Sequence, residues 1–160
     1  MNFLYKNAVW VGGAVSTLTL GLVFVSQYGF DLKPCVLCIY QRWPYVAAIA
    51  ITLLYALLRD RINGTFVRVL MAISFAVTGA IAAFHVGVEQ KWWEGTAECS
   101  ADTSAGMTMD QLREQLLNAP LVKCDEVAWE MFGISMAGYN LILAIVMCLF
   151  MLLSVSHARK

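Results

Sequence analysis

The chain has 160 residues, of which 60% are hydrophobic and only 14% are charged, and its formal net charge is zero. A soluble domain averages about 45–50% apolar and about 25% charged residues, so a soluble core of this size is too small to bury so many apolar side chains. The mean hydropathy of +0.68 indicates a lipid environment, and the balanced charge argues against a nucleic-acid-binding protein, which needs a basic surface.

Four apolar stretches are long enough to cross a bilayer, which takes about 20 residues of helix. They cover residues 8–28, 39–58, 66–88 and 136–155. The first stretch exceeds the apolar region of about 7–15 residues found in signal peptides and has no clear cleavage site after it, so we expect it to be retained. The sequence therefore predicts an all-α membrane protein, a four-transmembrane-helix bundle forming one integral membrane domain over residues 1–160.

The basic residues are divided unevenly between the two predicted sides of the membrane. Those at the termini and around the second connection are Lys6, Arg59, Arg61, Arg68, Arg159 and Lys160, opposed only by Asp60. The other side carries ten of the eleven acidic residues. Because basic residues in short loops mark the cytoplasmic side, both termini are predicted to be cytoplasmic.

A long polar segment, residues 89–135, follows the third predicted helix on the outer side. Within it, MTMDQLREQLLNAP is typical of a short amphipathic helix, with Thr108 as the N-cap and Pro120 ending it. This helix is expected either to lie on the membrane surface or to pack on the ends of the other four helices.

Four of the five cysteines, Cys35, Cys38, Cys99 and Cys124, fall on the predicted outer side. In a bacterium that side is an oxidising compartment in which disulfides persist. Four cysteines allow three pairings; pairing the local Cys35 with Cys38 leaves Cys99 with Cys124. Cys148 lies inside the fourth predicted helix and is expected to act as a small buried hydrophobe.

The CxxC pair of Cys35 and Cys38 favours redox exchange over two other interpretations. Zinc commonly needs four nitrogen or sulfur ligands, but no second CxxC exists and the two histidines are predicted on opposite sides of the membrane, so no metal site is expected. A purely structural disulfide would close a very short loop and constrain the unfolded chain little. At the start of a helix, unpaired N–H groups favour a thiolate, which we expect at Cys38.

Two basic side chains are predicted near this pair. Arg42 follows Cys38 by four residues, so it lies one turn further on the same helix face, where it can stabilise a thiolate or serve only as an interfacial anchor. His85 is predicted at a similar depth on the third helix, as either a structural residue or part of a site around a polar ring. Since no nucleotide, haem or cluster motif is present to accept electrons, a lipid-soluble quinone explains why the pair lies at the membrane edge.

Several segments together resemble the disulfide bond formation protein B (DsbB) family, the membrane proteins that reoxidise the periplasmic thiol oxidase DsbA. They are CVLC at the start of the second helix, CIYQR, FHVGVEQ, AEC and KCDEVAWEMFGISMAGYN. The resemblance covers essentially the whole chain. It implies a bacterial inner-membrane protein that passes electrons from a DsbA-like partner to ubiquinone or menaquinone.

The resemblance also implies roles for individual residues. Cys35 and Cys38 would be the quinone-facing pair, with Cys38 as the thiolate beside the ring. Cys99 and Cys124 would be the shuttle pair, with Cys99 attacked by the oxidase. Arg42 would contact the quinone, and His85 would lie at the same site.

Two alternatives remain open from the sequence. A vitamin K epoxide reductase-like protein is also a four-helix redox protein, but its CxxC is expected late in the chain rather than at the second helix. A structural membrane protein whose disulfides only hold the outer loop predicts that Cys38→Ser leaves thiol oxidation unchanged.

Overall fold

A computed structural model of the chain describes residues 2–96, Cys99 and residues 123–158. A short helix α1 (Asn2–Lys6) precedes four long helices: α2 (Ala8–Gly29), α3 (Val36–Leu58), α4 (Gly64–Glu89) and α5 (Met136–Ala158). A small antiparallel hairpin of β1 (Glu130–Met131) and β2 (Ile134–Ser135) lies between α4 and α5. Helices α2 to α5 are long and apolar enough to cross a membrane, which confirms the predicted four-helix membrane protein. The amphipathic helix predicted around residues 108–119 lies outside the described residues.

The helix boundaries differ from the prediction by a few residues. The largest change for the site is at α3, which begins at Val36 instead of residue 39 because Cys35 acts as its N-cap and accepts a hydrogen bond from the Cys38 N–H. Asn63 caps α4 in the same way, with its Oδ1 accepting from the Thr65 N–H at 2.8 Å. Residue 38 is therefore in the first turn of a helix rather than before it.

The hairpin between residues 130 and 135 was not predicted. Its two central residues, Phe132 and Gly133, both have positive φ, 53° and 75°, which is the backbone geometry of a type I′ turn. Glycine adopts this geometry without strain, whereas a phenylalanine is rare there, so the sequence did not indicate a turn at this point.

The core of the bundle is centred on α4, which packs against α3 and α5. Met71 and Phe75 of α4 are fully buried together with Met151 of α5, and the Tyr45 ring of α3 meets Phe75 edge-on at 6.0 Å. Large apolar side chains remain exposed on the outer faces of the long helices, as expected of surfaces that face lipid; examples are Leu18, Leu22, Leu53, Leu57, Ile145 and Leu149.

The long helices run so that the chain ends meet at one end of the bundle. The Tyr5 ring stacks on His157 with 4.4 Å between centroids, and Arg68 donates a hydrogen bond to the Lys6 carbonyl. The α2–α3 connection, the CxxC pair and the hairpin lie at the opposite end.

Candidate active site

The CxxC pair is shaped by the start of α3. Cys35 has extended backbone angles, and its Sγ accepts a hydrogen bond from the Cys38 N–H at 3.3 Å. The two Sγ atoms are 2.9 Å apart and both thiols are free. Cys35 is 3% exposed and Cys38 is half-buried, so the pair is close enough to form a bond yet reachable from one side.

His85 of α4 lies against this pair. Its ring is buried, and Nε2 is 3.5 Å from the Cys35 Sγ. Its other nitrogen, Nδ1, lies 2.9 Å from the Gln41 Nε2. If Nδ1 accepts this hydrogen bond, the imidazole proton is on Nε2 and points to the Cys35 sulfur.

A network of polar groups from three helices fixes the direction of that hydrogen bond. Thr78 donates its hydroxyl proton to the Gln41 carbonyl at 3.0 Å, so its oxygen accepts from the Asn140 Nδ2 at 3.3 Å. The same Nδ2 donates to the Gln41 Oε1 at 2.6 Å, and the Asn140 Oδ1 accepts from the Tyr45 hydroxyl. The Gln41 amide therefore presents its NH₂ group to His85.

These contacts lower the pKa of Cys35 from its ordinary value of 9.0 to about 4. The main cause is the side-chain hydrogen bond with the Cys38 thiol; His85 adds to it by hydrogen bonding and charge, and the Cys38 N–H adds less, while burial opposes all three. The stabilised sulfur in this arrangement is thus Cys35, chiefly through the Cys38 thiol, with smaller contributions from His85 and from the Cys38 amide at the start of α3. A Cys38 thiolate facing a bound oxidant stays a prediction.

Arg42 lies one turn further along α3 and faces α2. Its Nη1 donates to the Gln27 Oε1 at 2.7 Å, and its guanidinium lies 5.6 Å from the centre of the Phe24 ring. Its Nε is buried and has no hydrogen-bond partner among the described residues. The Nε–H group of Arg42 is therefore a donor that is shielded from water and unpaired within the described part of the chain.

A cavity of about 770 Å³ connects these groups. Its polar lining includes Cys38, Arg42 and His85, and apolar side chains of α2 and α5, such as Leu20, Val23 and Leu143, form much of the rest. Arg42 and His85, predicted at similar depth on different helices, thus line one space together with the CxxC pair.

Cys99 and Cys124, 25 residues apart, form a disulfide. Both are buried, and they pack in one cluster with Cys35, Leu37 and Val88. The His85 ring also interacts with the backbone of Cys124. The second cysteine pair therefore lies directly beside the first.

The sequence analysis missed several polar residues of the site: Gln41, Tyr45, Thr78, Glu89 and Asn140. One Glu89 oxygen lies 3.8 Å from the His85 Nε2, and the other accepts from the Ser135 hydroxyl. A usable signal existed for Gln41 and Asn140, since polar side chains within membrane helices usually face the bundle interior and mark functional positions.

A family model described as "Disulfide bond formation protein DsbB" matches residues 5–154 of the chain. The chain belongs to the DsbB family. This membership identifies it as an oxidoreductase of disulfide bonds and, with its four apolar helices, as a multi-pass protein of the bacterial inner membrane. It also decides against the vitamin K epoxide reductase-like alternative.

Curated relatives agree with this assignment at modest identity. A disulfide bond formation protein B of Methylobacillus flagellatus is 29% identical over 98% of this chain and 96% of its own length. One from Neisseria meningitidis is 35% identical over 56% of each chain. An uncharacterized protein of Rickettsia prowazekii is 28% identical over 92% of this chain and 86% of its own. No solved structure matches the chain significantly.

Proposed function

We propose that this DsbB-family protein reoxidises a DsbA-like thiol oxidase and passes the two electrons to a membrane quinone, ubiquinone or menaquinone. The observation that carries the proposal is the position of the CxxC pair. On one side it borders a largely apolar cavity containing Arg42, and on the other it packs against the Cys99–Cys124 disulfide. A relay of two cysteine pairs from a protein substrate to a lipid-soluble acceptor needs this arrangement.

The cavity suits a quinone in both chemistry and size. Arg42 lines the cavity, where its guanidinium is a donor for a quinone oxygen, and the side chains of α2 and α5 offer an apolar wall to an isoprenoid tail. A bound quinone supplies an acceptor for two electrons and two protons. Arg42 and His85 are the residues proposed to hold it.

The chain's own residues are proposed to transfer the electrons by thiol–disulfide exchange. A thiolate of the oxidase attacks Cys99, and the Cys99–Cys124 bond breaks and leaves a mixed disulfide. The oxidase's second thiol then attacks the mixed disulfide, so that the oxidase leaves with its own disulfide and Cys99 is released as a thiol. The Cys99–Cys124 dithiol next passes its two electrons to a Cys35–Cys38 disulfide. The Cys38 N–H and the His85 Nε2 stabilise the Cys35 thiolate that this step produces.

The cysteine end of the bundle is proposed to face the periplasm, with both termini in the cytoplasm. The charge distribution supports this orientation, because the end that holds the termini carries six basic residues against one acidic residue. A periplasmic site also gives a DsbA-like partner access to Cys99.

The experiment that tests the proposal separates the two cysteine pairs. Cys99→Ser should abolish the mixed disulfide with a reduced DsbA-like oxidase while the Cys35 and Cys38 dithiol is still oxidised by added quinone. Cys148→Ser, which changes a half-buried cysteine of α5 outside both pairs, is the matched control and should keep full turnover. Full turnover in Cys99→Ser would refute the shuttle role.

A structural role for the disulfides is the competing proposal. It predicts that Cys38→Ser leaves the oxidation of the thiol oxidase unchanged. The cavity beside the pair is the observation against it, since a disulfide that only holds the loop has no need of one.

A further inference from the structure

The free CxxC pair and His85 have the composition of a metal centre. The two sulfurs and one imidazole nitrogen all lie within 4.8 Å of one another. Ligand atoms around a tetrahedral zinc ion are about 3.3–3.8 Å apart, given bond lengths of about 2.0–2.3 Å. The 3.5 Å between the Cys35 Sγ and the His85 Nε2 is already that of two zinc ligands.

The Cys38 sulfur needs only a small movement to join them. It lies 2.9 Å from the Cys35 Sγ, so the two sulfurs have to separate by about 0.8 Å to reach the spacing of zinc thiolates. Cys38 is half-buried and borders the cavity. Its side chain can therefore turn without displacing packed neighbours on that side.

Glu89 lies beside these three residues and has to turn toward the sulfurs to provide a fourth ligand, because its carboxylate is not among the ligand atoms that lie within 4.8 Å of one another. It follows His85 by one helical turn, its side chain is 6% exposed, and its Oε1 is 3.8 Å from the His85 Nε2. The Ser135 hydroxyl bonds the other carboxylate oxygen, so Oε1 is the oxygen that faces His85. A zinc site visible in the sequence would show a second CxxC or a second histidine on the same side, whereas the fold brings His85 and Glu89 of α4 beside the CxxC pair.

We propose that the reduced site binds one thiophilic d¹⁰ cation, with Zn²⁺ as the representative ion, through Cys35, Cys38 and His85, with Glu89 turning in as the fourth ligand. Near neutral pH, where Cys35 is already a thiolate, binding converts the Cys38 thiol to a zinc-bound thiolate and releases one proton, with no change in the oxidation state of sulfur or zinc. Oxidation of the pair to a disulfide removes both thiolate ligands and expels the ion. The site is thus inhibitory, since bound zinc occupies both sulfurs needed for exchange.

The hydrogen bond from Gln41 gives the proposal a distinctive consequence. When the His85 Nε2 binds the metal, the proton of the neutral imidazole has to be on Nδ1. Nδ1 then needs a hydrogen-bond acceptor, but Gln41 presents its NH₂ group, a donor, to this nitrogen. The Gln41 amide has to turn over, which also reverses its bond with Asn140. A carboxylate in that place accepts the Nδ1 proton directly, as in carboxylate–histidine–zinc sites. Gln41→Glu should therefore bind zinc more tightly than the unchanged protein.

The test measures Zn²⁺ binding to the full-length protein by competition with a chromophoric chelator. A Cys99→Ser/Cys124→Ser background removes the other periplasmic thiols. The reduced form should bind one Zn²⁺ per chain, more tightly as the pH rises because Cys38 releases a proton on binding, and the form oxidised at Cys35 and Cys38 should bind none there. In the wild-type chain, Zn²⁺ should protect both thiols from alkylation, a readout that needs no substitution.

Matched substitutions locate the ligands. His85→Asn should weaken zinc binding at least tenfold. His157→Asn, which changes a histidine at the other end of the bundle, should leave zinc binding unchanged. Gln41→Glu should strengthen binding several-fold. Equal zinc binding by the reduced and oxidised forms, or by His85→Asn and the unchanged protein, would overturn the proposal. No measurement uses a quinone or a thiol oxidase, so the outcome is independent of the proposed electron transfer.

Discussion

Gln41 determines the chemistry of the site although it carries no charge. Its amide is fixed by Asn140 and in turn fixes the proton of His85 on the nitrogen that faces Cys35. A neutral network of this kind orients a reactive group without burying an unpaired charge, which would cost several kcal/mol. Removing one member leaves its partners buried and unsatisfied, at a cost of about 1–3 kcal/mol for each.

The pH behaviour of Cys35 follows from these contacts. The pKa of Cys35 is lowered from its ordinary value of 9.0 to about 4 in the folded protein. The thiolate therefore stabilises the folded, reduced protein fully at a pH above the ordinary pKa, and this stabilisation is lost as the pH falls through the folded-state pKa. We expect the thiolate ultraviolet absorbance of the reduced protein to titrate near pH 4. His85→Asn should move this titration to higher pH, with His157→Asn as the control. Titration of Cys35 at its ordinary value in the wild-type chain would contradict the assignment.

Arg42 offers the second prediction at this scale. Arg42→Met keeps an apolar stem but removes the charge and the donors that border the cavity. Loss of a charged hydrogen bond costs about 1.5–3 kcal/mol, so we expect the KM for quinone to rise about tenfold or more, with thiol exchange at Cys99 nearly unchanged.

Arg68→Met is the matched control for Arg42, because Arg68 also has a buried Nε without a partner among the described residues but lies at the other end of the bundle. Its KM for quinone should not change. An Arg42 that serves only as an interfacial anchor would instead lower expression of the Arg42→Met protein and leave the quinone KM of the folded fraction as it was.

At the scale of the elements, close approach of α2 to α3 depends on small residues. A Cβ at Gly13 would lie 2.6–2.9 Å from the side-chain atoms of Thr52. Thr52 cannot easily move aside, since it is β-branched and its hydroxyl is bonded to the Ala48 carbonyl. The two helices would have to separate, and with them the α2 and α3 walls of the cavity.

Gly13→Ala should therefore destabilise the protein by about 1–3 kcal/mol, as overpacking does. Gly21→Ala is the control on the same helix, because nothing lies within 4 Å of a Cβ there. Thermal unfolding in detergent measures both. A Gly13→Ala protein as stable as Gly21→Ala would show that α2 and α3 are not held this closely.

The elements also show what the sequence could and could not predict. Long apolar stretches led to the four helices, and the CxxC spacing led to Cys35, Cys38 and Arg42, because these signals are local. The start of α3 was misplaced because a cysteine was not expected as an N-cap. Gln41 and Asn140 were missed although polar residues within membrane helices are a usable signal, and Glu89 was missed because its role depends on partners from other elements.

At the scale of the whole molecule, the bundle separates a terminal end from a cysteine end. Tyr5, Lys6, Arg68 and His157 meet at the first, while Cys35, His85 and Cys124 meet at the second. The account needs the cysteine end to lie in an oxidising compartment, the compartment of a secreted oxidase.

Reporter fusions test this orientation. A reporter active only in the periplasm should work when fused near residue 105 and fail when fused near Asn63 or after residue 160. The opposite pattern would reverse the assignment from the basic residues and remove the oxidising compartment from the account.

The central claim is that oxidation of the partner and reduction of a quinone are one coupled reaction through Cys35 and Cys38. The measurement that tests it most directly counts both products without oxygen, using purified protein in lipid, a reduced DsbA-like oxidase and added quinone. The account predicts one quinol for each disulfide formed, loss of both products in Cys38→Ser, and normal yields in Cys148→Ser. Disulfide formation without quinol, or undiminished yields in Cys38→Ser, would contradict it.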